Sequence, residues 1–276
     1  PPDLSGLNLV PNGFLWKQHQ LRQSPDFHHL PLLHNRLNSR PTLPKRVQKF
    51  VHLGMIWLRN TLSVFNKDIR IEFRTRFGIN MVLAFVAASL LLIMFTLRAH
   101  ELDPTPKSGL IWIIILFAAL SALGRSFIAE TDKNTYDLLR VYSSGSNVYA
   151  GKLLFNTTFT LFINVVTFIL YSFLMDLSVA SVPAFFVMLI FGTLGLSAVS
   201  TMTAAIVSQA DRKGAVFSVL SIPLFVPLIL LLTRVTKMAF IDGMNSLLNS
   251  DVAALIGFAG ATITAGVILF DFIWED

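Results

Sequence analysis

The chain has 276 residues, of which 54% are hydrophobic and only 14% charged, with a formal net charge of +6 and no cysteine. A soluble domain carries about 25% charged residues, so a surface this poor in charge does not belong to a soluble fold. The missing thiols exclude disulfide scaffolds, thiolate metal sites and cysteine nucleophiles.

Residues 1–54 hold seven Lys/Arg against two Asp, while residues 55–276 hold fifteen against fourteen. The hydrophobic body is nearly neutral and presents no basic face to a phosphate backbone, so no nucleic-acid partner is expected. The first 54 residues also contain seven of the twelve prolines, five of the six histidines and no methionine. No apolar period runs through them, and the expectation is a disordered or non-native N-terminal extension, with His28 and His29 solvated. Translation is expected to begin at Met55, the first methionine. A transit peptide is the competing reading, weakened by the prolines.

Residues 55–78 form the second expected unit. Leu58, Leu62, Phe65, Ile69 and Phe73 recur at three- and four-residue steps between Trp57 and Arg76, with Lys67, Arg70, Arg74 and Arg76 on the remaining face. That pattern predicts an amphipathic helix lying in the membrane interface.

Residues 79–276 form the third unit. About 20 apolar residues are needed to cross the hydrocarbon of a bilayer with every backbone group satisfied. Six stretches qualify: Ile79 to Leu97, Gly109 to Ala129, Leu153 to Leu174, Pro183 to Val207, Ala215 to Thr233 and Val252 to Ile273. The predicted fold is an all-α membrane protein of six transmembrane helices preceded by an interfacial helix. Lys67, Arg70, Arg74, Arg76, Lys133, Arg140, Lys152, Arg212 and Lys213 gather on one side, against Arg98, Lys107, Arg234 and Lys237 on the other. The excess of positive charge puts both termini in the cytoplasm.

Small and hydroxylated residues repeat every four positions at Thr193, Ser197, Thr201 and Ala205, and at Ala253, Gly257, Ala261 and Ala265. Both stripes are expected to be helix-packing faces. Pro223 and Pro227 remove two helical hydrogen bonds from the fifth span, so a kink or break is expected there; a gating role is the hypothesis it raises, beside the ordinary occurrence of proline in membrane helices. The stretch Gly145 to Leu153 imitates a phosphate-binding loop but has one residue too many between its glycines and Leu where magnesium needs Ser or Thr, which excludes nucleotide binding. Arg125, Asp176 and Asp271 lie near span ends, where they reach the interface.

The spans lack His and hold almost no acid, which argues against proton relays, internal metal sites and enzymatic acid–base chemistry. No catalytic residue, metal ligand or resident cofactor is expected. His100 in the first outer loop is read as an ordinary loop residue. The segment Glu130 to Lys152 is long and of mixed character. Leu138, Leu139, Val141 and Tyr142 lie amid Asp132, Lys133, Asp137 and Arg140, and a loop of that kind suits docking of a soluble protein.

From Phe65 onward the chain resembles the haem exporter protein B (CcmB) family, the membrane subunits of an ATP-binding cassette system used in cytochrome c maturation. The matching segments are Lys67 to Arg76, Ile111 to Leu120, Arg125 to Glu130, Gly151–Lys152, Phe191 to Val199 and Ile222 to Leu230. The sequence departs from the family pattern after Glu130, where Asn134, Thr135 and Ser144 stand in place of the usual glycine and proline. The resemblance implies an ABC-2-type permease subunit in a bacterial inner membrane rather than an organellar one. Its partners would be a separate ATPase, haem-handling membrane proteins and a second membrane half, as dimer or heterodimer. Haem would be cargo, or a haem-loaded chaperone would be released. Lys67, Asp68, Arg70, Glu130, Asp137, Leu138 and Arg140 would contact the ATPase, with Pro223 and Pro227 in the moving helix. The alternatives are a permease of the same architecture for a lipid, glycan or drug, and a non-transporting assembly factor.

Overall fold

The computed structural model describes residues 45–96, 102–124, 127, 130, 139, 141, 143–176, 179–208, 213–242 and 248–275. The chain divides into two units, Pro1–Gly54 and Met55–Asp276, and the packing described below is that of the second. His28, His29, His100, Arg125, Asp137, Leu138 and Arg140 lie outside the described residues.

Among the described residues seven helices follow one another: α1 (Lys45–Thr75), α2 (Phe77–Thr96), α3 (Pro104–Leu123), α4 (Gly145–Met175), α5 (Val182–Val207), α6 (Lys213–Lys237) and α7 (Leu248–Glu275). A π-helical segment, Met238–Asp242, extends α6. No strand occurs among the described residues. Helices α2 to α7 supply six segments long and apolar enough to cross a bilayer, which makes the chain a multi-pass all-α membrane protein as expected.

Helix α5 is the hub of the bundle and packs against α7, α6, α4 and α3. Over half of its apolar window is buried, 56% against 17% for α2 and α7. Its composition explains this position: Gly192, Thr193, Gly195, Ser197, Ala198, Ser200, Thr201, Ala204 and Ala205 are all buried and small, so neighbouring backbones approach closely. The first stripe read from the sequence is therefore a packing face. Asn156 Nδ2 donates to Thr201 Oγ1 at 2.8 Å, Asn164 Nδ2 to Thr193 Oγ1 at 2.9 Å, and Thr157 shares a 2.8 Å hydrogen bond with Ser197.

The second stripe behaves otherwise. Ala253, Gly257, Ala261 and Ala265 are exposed, and α7 meets the bundle instead through Leu255, Ala259, Gly266 and Phe270. Four alanines and glycines bury little area, whereas Leu255 and Phe270, both at 0% exposure, remove far more apolar surface from the surroundings.

Helix α6 runs without interruption through Pro223 and Pro227. Both prolines are exposed, on the side away from Phe225 and Leu228, which are fully buried. The hydrogen bonds they forgo are those to the carbonyls of Val219 and Pro223, and the break expected there is replaced by the π segment downstream. There Ala239 accepts hydrogen bonds from the backbone N–H of Ala180 and Ser181, both at 2.9 Å. This ties the end of α6 to the start of α5.

Trp112 on α3 locks that helix to α6 and α4. Its Nε1 donates to Thr236 Oγ1 at 2.6 Å, and the ring packs edge-on against Phe168, with centroids 5.6 Å apart. A buried indole needs such a partner for its N–H.

Helix α1 begins at Lys45, well ahead of the predicted Trp57. Most of its apolar stripe does not face the bundle, Phe65 and Ile69 being half-buried. Leu58, Leu62 and Phe73 are exposed, by 53%, 39% and 65%, as an interfacial helix requires if those side chains meet lipid. The inward positions are Thr61, Val64 and Asp68. At its end Arg76 takes a left-handed conformation, φ 52°, and its N–H closes on Glu72 O at 2.6 Å. The Glu72 carboxylate accepts the Ile79 N–H at 2.8 Å, so one acidic residue ends α1 and caps the first span.

Candidate functional site

Where α1 meets the first turns of α4, four ionic side chains converge. Lys152 Nζ lies 3.1 Å from Asp68 Oδ2 and 3.3 Å from Glu130 Oε1. Lys67 Nζ lies 3.4 Å from Asp68 Oδ1 and also hydrogen-bonds Glu130 Oε1. Two ammonium groups thus face two carboxylates. Lys152 is 1% exposed, Asp68 8% and Glu130 8%. Charges so deeply buried persist only when paired.

The surroundings hold this cluster in place. The Phe127 ring lies under Lys152, with Nζ 5.3 Å from its centroid, a cation–π distance. Phe127 in turn packs on Phe270, which packs on Tyr149 and Trp274. Along α1, Trp57 donates to Ser146 Oγ at 3.3 Å and Thr61 Oγ1 to Asn147 Oδ1 at 3.5 Å. Between them the helices approach so closely that a Cβ on Gly151 would come within 2.7 Å of Val64 Cβ and 2.8 Å of Thr61 O. Only glycine fits there. The contact line Trp57, Thr61, Val64, Asp68 is therefore written in the sequence of α1 at helical spacing, beside the apolar stripe that faces outward.

Several site residues fall elsewhere than the sequence placed them. Gly145 to Lys152, read as the end of a loop, form the first two turns of α4, and Lys152 is no loop charge but the centre of the cluster. Asp68 and Glu130 turn inward to it. Lys67 is partly exposed and Arg70 exposed. Together with Ser63, Asn66 and Ile71 they line an open groove of about 470 Å³ along α1. Pro223 and Pro227 lie on α6, which has no part in the cluster. Lys152 itself was missed as a partner of Asp68 and Glu130. The available signal was register: Asp68 continues the line of Thr61 and Val64 at helical spacing, off the outward stripe of α1. Among the described residues no group of three or more His, Cys, Asp or Glu could hold a metal ion.

This pairing of α1 with a buried Lys on α4 lies within a stretch, residues 59–272, that matches the family described as CcmB protein. The chain belongs to the CcmB family. The matched region contains all four members of the ionic cluster, the first five spans and all but the last two residues of the sixth. The resemblance drawn from Phe65 onward is thereby borne out, and extends a little earlier than the residues that first carried it. A curated CcmB relative, heme exporter protein B of Rhodobacter capsulatus, is 26% identical over 203 residues, which cover 73% of this chain and 92% of that protein.

Proposed function

We propose that the chain is the membrane subunit of an ATP-driven haem export complex in cytochrome c maturation, and that the ionic cluster is the joint through which it is driven. Family membership and the name of the Rhodobacter relative support the first part. The observation that carries the second is that Lys152 joins α1 and Glu130 to the start of a membrane-spanning helix. A push on either of the first two is handed to α4 without slack, because buried pairs resist separation.

In this reading ATP is hydrolysed by a separate chain. It docks on the cytoplasmic side, against Lys67 and Arg70 along the α1 groove and against the segment of Asp137, Leu138 and Arg140, with Asp68 and Glu130 bracing those contacts from behind. Pro223 and Pro227 belong to a helix that shifts during the cycle. Both termini face the cytoplasm of a bacterial inner membrane, a second membrane subunit completes the complex, and haem-handling membrane proteins receive or supply the cargo.

The test is deletion of the gene followed by a haem stain for covalent c-type cytochromes, with complementation by the full chain. Loss of stained cytochromes, restored by the chain, is the expected result. Normal cytochromes in the deletion strain would refute the maturation role and leave a permease for another cargo.

A further inference from the structure

One face of α4 carries an unbroken polar line. Lys152, Asn156, Thr160, Asn164, Thr167 and Tyr171 follow at steps of three or four residues, the spacing that stacks side chains along one side of an α-helix. The line runs on the order of 28 Å, close to the thickness of a bilayer core. It starts at the ionic cluster and ends where Tyr171 donates to the Lys107 carbonyl at 2.7 Å. The four members between are all at 0% exposure.

These four are only half satisfied. The asparagine Nδ2 groups are committed to Thr201 and Thr193, but Asn156 Oδ1, Asn164 Oδ1, Thr160 Oγ1 and Thr167 Oγ1 meet no hydrogen-bonding group. Neither does Ser200 Oγ on α5, which shares the helix face of Thr193 and Ser197. Helical hydroxyls ordinarily return to the carbonyl four residues back, as Thr158, Thr201 and Thr203 do here at 2.9, 2.6 and 2.8 Å. Thr160 and Thr167 do not. Five such buried atoms between two helices are too costly to leave unpartnered.

We propose that this face of α4 binds a file of water molecules, about one per helical turn, between α4 and α5. The chemistry of the site selects the ligand. Amide oxygens need a donor, hydroxyls take either role, and a molecule that both donates and accepts several bonds satisfies all five. No charged side chain lies in 153–175 or 182–207, so nothing there neutralises an ion. The pitch matches as well: four residues rise about 6 Å, and one water bridging two groups spans about 5.6 Å. The file makes this interface re-pairable, since water-mediated bonds exchange partners without a direct contact being lost. It is independent of which cargo the protein serves.

The test is X-ray hydroxyl-radical footprinting of the full chain in lipid nanodiscs, in which radicals arise from bound water and oxidise the side chains beside it. Ile163 lies within the polar face at 1% exposure, and Ile115 on α3 is an equally buried isoleucine at 0%. Oxidation of Ile163 about tenfold faster than Ile115 is expected, falling at least threefold in the Thr160→Val, Thr167→Val double variant. Equal rates at the two isoleucines overturn the proposal. So does an undiminished Ile163 rate in a double variant whose Ile115 rate is unchanged.

Discussion

Lys152 and Asp68 stand 84 residues apart in the chain and 3.1 Å apart in space, both withdrawn from the surface. The pair fixes α1 to the start of α4.

Removing one partner leaves the other charge buried with less to neutralise it. Lys152→Met is expected to destabilise the protein by about 3–5 kcal/mol, the usual cost of breaking a buried pair. Asp68→Lys combined with Lys152→Asp keeps the charges opposed and recovers part of that loss. Thermal unfolding in detergent, followed by tryptophan fluorescence, measures both. A Lys152→Met variant as stable as the parent shows that the cluster carries no structural load.

Gly192 sits where a Cβ would come within 2.8 Å of Trp112 Cη2 and 2.9 Å of Leu232 Cδ2. Gly192→Ala therefore displaces an indole held by its hydrogen bond to Thr236, and a loss of about 1–3 kcal/mol is expected from overpacking. The companion variant Gly257→Ala, at a position with open space around it, leaves stability unchanged or slightly raised. Comparing the two unfolding temperatures checks the pair, and equal effects contradict this packing of α3 on α5 and α6.

The prolines of α6 face outward within a continuous helix. Replacing Pro223 and Pro227 by Ala restores two backbone donors and is expected to stiffen α6 without disturbing assembly. If α6 bends in the cycle, covalent cytochrome yield falls severalfold while the amount of membrane-inserted chain holds. An unchanged yield assigns the prolines a structural role alone.

The spans were legible because apolar runs of this length have one physical solution in a bilayer. The stripe Thr193, Ser197, Thr201, Ala205 was legible as packing for the same reason that small residues recur in helix contacts. What hydropathy hides is a helix turn packed on protein rather than lipid. Ser146, Asn147, Gly151 and Lys152 are polar or small because they meet α1, and polar residues before a span look like a loop. The outward turn of Ala253, Gly257, Ala261 and Ala265 was equally hidden, since a small-residue stripe has no marker for which side it faces. Asn156 and Asn164 went unremarked amid apolar neighbours, although amides inside a span are rare enough to be a signal.

The most direct test of the joint is the amount of covalent haem on c-type cytochromes in cells whose only copy carries Asp68→Asn, read beside co-purification of the ATPase from the same membranes. The substitution keeps the side chain's shape and removes one of the charges that hold Lys152. At least a tenfold loss of covalent haem, with the chain still inserted and the ATPase still bound, is the predicted result. Full haem attachment in that variant would contradict the claim that the Lys152 cluster transmits the driving movement.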